Sequence, residues 1–148
     1  MKKFSFPLER ARTWKRSVWE QEESKLERLI AQMQLIDQRR GQLIADIDAA
    51  VRRAAARSEL SAEDLSQLDH AQKYAREEDR RLTQRQQKVA AEVECQRGVV
   101  REARRQYELL DRLRDAQFRQ WALDLAREQE TQIGDLTIAR WRRERAGS

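Results

Sequence analysis

Apolar residues recur at alternating spacings of three and four in two long stretches of the chain. In the first stretch eight of nine positions are apolar: Leu26, Leu29, Met33, Ile36, Arg40, Leu43, Ile47, Ala50 and Ala54. In the second stretch eight of twelve are apolar: Leu82, Gln86, Val89, Val93, Gln96, Val100, Ala103, Tyr107, Leu110, Arg114, Gln117 and Trp121. This alternation is the pattern of a coiled-coil seam. The sequence therefore predicts two long helices that pair along these seams.

The segment between the two seams carries the signals of a helix end and a new helix start. The first seam stops near Arg57, and Ser61 followed by Asp64 forms a capping-box pattern. A connection this short requires the two helices to run antiparallel. We therefore predict an all-α fold, an antiparallel two-helix coiled coil that forms a single domain. The predicted bounds are about 7–57 for helix one, 58–61 for the turn and 62–143 for helix two, within a domain of 1–148.

The two predicted helices differ in length. At a rise of about 1.5 Å per residue, helix one would be about 75 Å long and helix two about 120 Å. Some thirty C-terminal residues of helix two would then extend beyond the paired region. Pro7, the single proline, stands at the start of helix one. Proline is favoured there because its φ is already helical and its missing N–H would have no partner.

Composition agrees with long helices and adds an uneven distribution of charge. Charged residues make up 39% of the chain and aromatic residues only 6%, and the net charge is +5. Residues 1–16 carry a net charge of +5 and residues 140–145 one of +3, which leaves −3 for the remainder. A nucleic-acid interface would need a basic stripe along a face. We therefore expect no nucleic-acid partner; binding of nucleic acid through the basic ends is an alternative that steep salt dependence would support.

Several classes of function have no sequence signal. No run of about 18 apolar residues is present, so we expect no membrane span, and MKK is not followed by the apolar region of a secretory signal. The single histidine, His70, and the single cysteine, Cys95, have no neighbouring catalytic or metal-ligand pattern. We expect a cytoplasmic protein that is not an enzyme and uses no cofactor or metal.

The aromatic residues are the candidates for partner binding. The four tryptophans are predicted to lie away from the turn, and exposed Trp beside Arg is typical of protein-binding hot spots. The alternative is internal packing, with Trp14 and Trp121 capping the seam and Tyr74 packed within it. The candidate partner-binding residues are Phe4, Phe6, Trp14, Trp19, Tyr74, Trp121, Trp141, Arg142 and Arg143.

Two segments resemble a known family. The opening FSFPLERARTWKR and the C-terminal LLDRLRDAQFRQWALDLAREQETQIGDLTIARWRRE, joined by the hairpin, resemble the FliJ family of flagellar export proteins. The F-x-F-P-L-E motif corresponds to Phe4 to Glu9, and the D-L-x-x-x-R pattern to Asp135 to Arg140. The resemblance spans nearly the whole chain.

The resemblance implies a function that composition alone does not indicate. FliJ-like proteins are non-enzymatic components of the flagellar type III export apparatus, with a coiled coil similar to the stalk of rotary ATPases. The resemblance implies three partners: the export ATPase ring, the cytoplasmic domain of the export gate, and export chaperones. FliJ-like proteins promote assembly and activity of the ATPase hexamer. It also implies a cytoplasmic location, peripherally associated with the inner membrane at the flagellar base. The start of helix one and the C-terminal extension would meet the ATPase, and the region near Tyr74 would face the gate.

Two other functions are compatible with the predicted hairpin. One is the stalk protein of a virulence-type injectisome, although the F-x-F-P-L-E opening favours the flagellar system. The other is a generic coiled-coil adaptor that homodimerises without any link to an ATPase. In that case the polar seam residues would set the register or the oligomeric state. These are Arg40, Gln86, Gln96, Arg114 and Gln117.

Overall fold

The computed structural model of the chain describes residues 2–147, and within them two helices form a hairpin. Helix α1 spans Glu9–Ala55 and helix α2 spans Ala62–Ala146. No strand is present among these residues. The two helices pack against each other through apolar side chains, and α2 is the longer one. The prediction of an all-α hairpin with unequal helices is confirmed.

The bounds of α1 differ from the predicted ones by two residues at each end. Pro7 and Leu8 form a turn, in which the Glu9 N–H donates to the Phe6 carbonyl at 3.1 Å. The first helical bond joins the Arg12 N–H to the Leu8 carbonyl at 2.9 Å, so the helix begins at Glu9 instead of Pro7. At the other end α1 stops at Ala55, which makes the connection start at residue 56.

Helix α2 begins where the capping box predicts. The Asp64 N–H donates to Ser61 Oγ at 3.1 Å, and the Ser61 N–H donates to Asp64 Oδ2 at 3.2 Å. These two bonds, with the charge of Arg57, lower the pKa of the Asp64 carboxyl. Two donors that a helix start leaves unpaired are therefore satisfied. The helix ends at Ala146, three residues beyond the predicted end.

The chain divides into two compact units. The central unit comprises residues 20–102, and the terminal unit comprises residues 1–19 together with 103–148. Each unit contains a part of both helices, so each has its own section of the helix pair.

The central unit is held by the predicted seams. Ile36, Val89 and Val93 are buried at its centre. Around them pack the partly buried Leu26, Leu29, Ile30, Met33 and Leu82. All nine positions of the first predicted seam are buried or partly buried. The spacing of three and four therefore identified the buried face of α1 correctly.

Polar side chains cross the helix pair at two levels of the central unit. Arg40 donates from Nε to Asp79 Oδ1 at 2.8 Å and from Nη1 to Gln86 Oε1 at 2.7 Å. At the second level, Gln96 Nε2 donates to the carboxylate of Glu22 at 2.6 Å and to its backbone carbonyl at 3.0 Å. These polar side chains find hydrogen-bond partners in only one alignment of the two helices, so they favour that register of the helix pair.

Candidate partner-binding surface

The segment before α1 folds back against α2 in the terminal unit. The Phe4 ring packs edge-on against Phe118, with ring centroids 5.2 Å apart, and in a tilted arrangement against Trp121, with centroids 5.9 Å apart. Trp121 Nε1 donates to the Lys2 carbonyl at 3.0 Å. We call residues 2–8, which precede α1 and are not helical, the N-terminal strap, because Lys2 and Phe4 contact the aromatic side chains of α2.

Phe6 is the best-buried residue of the strap. It is 6% exposed, whereas its neighbours Ser5 and Pro7 are exposed. Nearby, the Arg114 guanidinium lies 5.9 Å from the Phe4 ring and 3.8 Å from a carboxylate oxygen of Glu9. Phe4 packs against α2 and Phe6 is buried, so a partner would reach Phe6 only if the strap moved.

An arginine of α1 connects the two helices next to the strap. Arg12 donates from Nε and Nη2 to Asp111 Oδ1 at 3.0 and 2.8 Å, and from Nη2 to the Tyr107 hydroxyl at 3.3 Å. Its Nη1 also donates to Glu9 Oε1 at 3.1 Å. The bonds to Asp111 are the main cause of a raised Arg12 pKa. The start of α1 is therefore fixed by charge-assisted bonds as well as by the aromatic strap.

Trp19 is partly buried between the two helices. Its ring stacks on Tyr107 at 5.6 Å, and the Arg104 guanidinium lies 5.9 Å from it. Among the described residues, Trp19 Nε1 is buried without a hydrogen-bond acceptor. Trp19 therefore packs within the chain. Its partner Tyr107 was predicted as a seam residue, but the contact between the two rings was not predicted.

Other predicted residues of the terminal unit are exposed. Trp14 is 61% exposed, with Lys15 Nζ 4.8 Å from its ring centre. Trp141 is 53% exposed, and the Arg145 guanidinium lies 4.3 Å from its ring. Arg142 and Arg143 are exposed beside it. Large aromatic surface next to arginine is the composition of interface hot spots.

The last part of α2 presents apolar residues that sequence analysis did not select. Ile133, Leu136 and Ile138 are all at least half exposed, and from residue 129 to residue 147 only Ala139 is partly buried. The coiled-coil seam frays before this point, which is why its pattern gave no signal. Phe118 was also missed, although its spacing of three from Trp121 puts both on one helix face.

Tyr74 belongs to the central unit. It is 60% exposed, and Ala75 and Arg76 after it line a shallow groove with Leu43 and Ile47 of α1. The alternative in which Tyr74 packs within the seam is therefore wrong. The side chain is accessible, and its role as a partner contact stays a prediction.

The described residues contain no metal-binding cluster and no membrane-spanning helix. Among residues 2–147, no three His, Cys, Asp or Glu side chains are placed to bind a metal ion. Neither of the two helices has a stretch apolar enough to cross a membrane.

Comparison with known proteins finds no match. No family model, curated protein or solved structure is significantly similar to the chain.

Proposed function

We propose that the chain is a non-enzymatic component of the flagellar type III export apparatus. In this role it promotes assembly and activity of the export ATPase hexamer and links that ATPase to the export gate and to export chaperones. The observation that carries the proposal is the exposed C-terminal part of α2, with Trp141 and its neighbouring arginines. The motif resemblance at both termini connects that surface to this apparatus.

The terminal unit supplies the surface proposed for the ATPase. Residues 1–16 carry a net charge of +5 and residues 140–145 one of +3, so positive charge is concentrated in this unit. Charge of one sign attracts a partner surface of the opposite sign and raises the association rate. Trp14 and Trp141 add exposed aromatic area that such a partner would bury.

The central unit supplies the surface proposed for the export gate. Tyr74 is exposed there, beside the groove lined by Leu43 and Ile47. The groove offers apolar side chains and, from Asp48, Arg76 and Asp79, charged ones, and Tyr74 adds both ring area and a hydroxyl. The gate contact therefore involves other residues than the ATPase contact, and the two contacts are separable by mutation.

A titration of the cognate export ATPase tests the proposal. The protein is expected to raise the rate of ATP hydrolysis and the fraction of ATPase in rings. The variant W141A/R142A/R143A should lose most of this effect, because it removes an aromatic residue and two charges from the proposed contact. A matched control, L35A/R81A/R85A, removes one exposed apolar residue and two exposed arginines from the central unit and should retain the effect. Unchanged hydrolysis and assembly with the wild-type protein would contradict the proposal.

A further inference from the structure

The exposed end of α2 has one face built for close helix packing. Residues 133, 137 and 141 are spaced by four, and residues 134 and 138 form the adjacent row, so these five share a face. Ile133, Ile138 and Trp141 supply its apolar area. The Thr137 hydroxyl donates to the Ile133 carbonyl at 2.8 Å, which satisfies that polar group within the helix. We call these five residues the C-terminal face.

Gly134 lies in the middle of the C-terminal face without an internal reason for being glycine. A Cβ at this position would meet no atom within 4 Å. Glycine inside a helix costs about 1 kcal/mol relative to alanine. A missing side chain on an exposed apolar face instead allows a second helix to approach closely, as at the small-residue contacts of tightly packed helix pairs.

The charges around the C-terminal face reverse sign at its centre. Residues 122–135 carry four acidic side chains and one arginine, a net charge of −3. Residues 136–147 carry four arginines and one glutamate, a net charge of +3. A helix with this polarity attracts an antiparallel copy of itself, because each acidic half then faces a basic half. A parallel copy would place like charges opposite each other.

We infer that the C-terminal face binds a second copy of the chain, as an antiparallel helix pair with a twofold axis between residues 135 and 136. In this register Ile133 faces Ile138 of the second copy, and Gly134 faces its Thr137. At the flanks, Arg127 faces Glu144 of the second copy. Each contact occurs twice, as an isologous interface requires. Trp141 also belongs to the surface proposed for the ATPase, so a second copy and the ATPase would compete for it. Self-association of the purified chain is therefore measured without the ATPase, and its outcome is separate from that of the ATPase titration.

Charge-reversal variants test the inference in a way that separates it from misfolding. E130R/D135R makes both halves of the segment basic, and R140E/R142E makes both halves acidic; all four positions are exposed. Sedimentation velocity across a wide concentration range should show dimers of the wild-type protein. Each variant alone should associate about tenfold or more weakly. An equimolar mixture should associate again, because the two variants then attract each other.

Cross-linking tests the orientation of the pair. In a Cys95→Ser background, Thr137→Cys places its two copies about 5 Å apart along the axis, whereas Glu144→Cys places them about 25 Å apart. Disulfides form only when the Cα atoms are within about 7 Å. Oxidation should therefore give dimers of the first variant and not of the second. A monomeric wild-type protein, dimers that both charge-reversal variants retain, or equal cross-linking at positions 137 and 144 would overturn the inference.

Discussion

At the scale of single residues, the contacts of Glu22 make the stability of the central unit depend on pH. Gln96 donates to Glu22 Oε2 at 2.6 Å and Lys25 Nζ lies 3.1 Å from Glu22 Oε1. The bond from Gln96, followed by that from Lys25, lowers the pKa of the Glu22 carboxyl. A carboxyl whose pKa is lowered by folding stabilises the fold above its ordinary pKa and loses this contribution as the pH falls through the lowered value.

Replacing Glu22 tests this contribution. Glu22→Gln should lower the free energy of unfolding at neutral pH, and the difference from wild type should shrink toward zero in acid below the lowered pKa. Urea unfolding followed by far-UV circular dichroism at several pH values measures it. Glu23→Gln removes a charge from the neighbouring, exposed position and should change little at any pH. A loss for Glu22→Gln that is the same at neutral and acid pH would contradict the account.

Single residues also mark the limit of prediction from the sequence. The seam spacing placed Val89 and Val93 inward, and the structure agrees. It did not predict that Phe6 is buried. The segment that carries Phe6 is held by contacts of Lys2 and Phe4 with Phe118 and Trp121, more than a hundred positions away, which helical spacing does not describe. The spacing of apolar residues predicts the buried face of a single helix. Because the strap is not helical, this spacing gives no information about it.

At the scale of elements, the N-terminal strap holds the start of α1 on α2. Phe6→Ala should destabilise the terminal unit by about 3 kcal/mol, because it deletes a buried ring. All four tryptophans lie in this unit, so tryptophan fluorescence during urea unfolding reports on it selectively. The control Leu8→Ala changes an exposed residue and should shift the free energy of unfolding by no more than about 0.5 kcal/mol. An effect of Phe6→Ala as small as that of Leu8→Ala would show that the buried ring of the strap does not stabilise the unit.

The helices themselves were predictable because their signals are local. Ser61 and Asp64 form the cap that the sequence predicts, and α2 starts at the predicted residue. The start of α1 was predicted two residues early. Proline at position 7 is compatible with a helical start, but proline is also favoured at the second position of a turn. Here Pro7 occupies that position, in the turn closed by the bond from the Glu9 N–H to the Phe6 carbonyl.

At the scale of the whole molecule, we propose different partners for the two compact units. The exposed residues of the terminal unit include aromatic and basic side chains, and Tyr74 lies beside a groove with both apolar and charged lining residues. The sequence predicted the hairpin and five residues that are in fact exposed or accessible: Trp14, Tyr74, Trp141, Arg142 and Arg143. The contacts within the chain do not identify its binding partners, so the partners have to be measured directly.

Site-specific photo-cross-linking identifies the binding partner of each surface most directly. A photoreactive amino acid replaces Trp141 in one protein and Tyr74 in another, and each is irradiated with the export ATPase and the cytoplasmic domain of the export gate. The account predicts that position 141 captures the ATPase and position 74 captures the gate. Capture of the ATPase from position 74 alone, or of neither protein from either position, would contradict it.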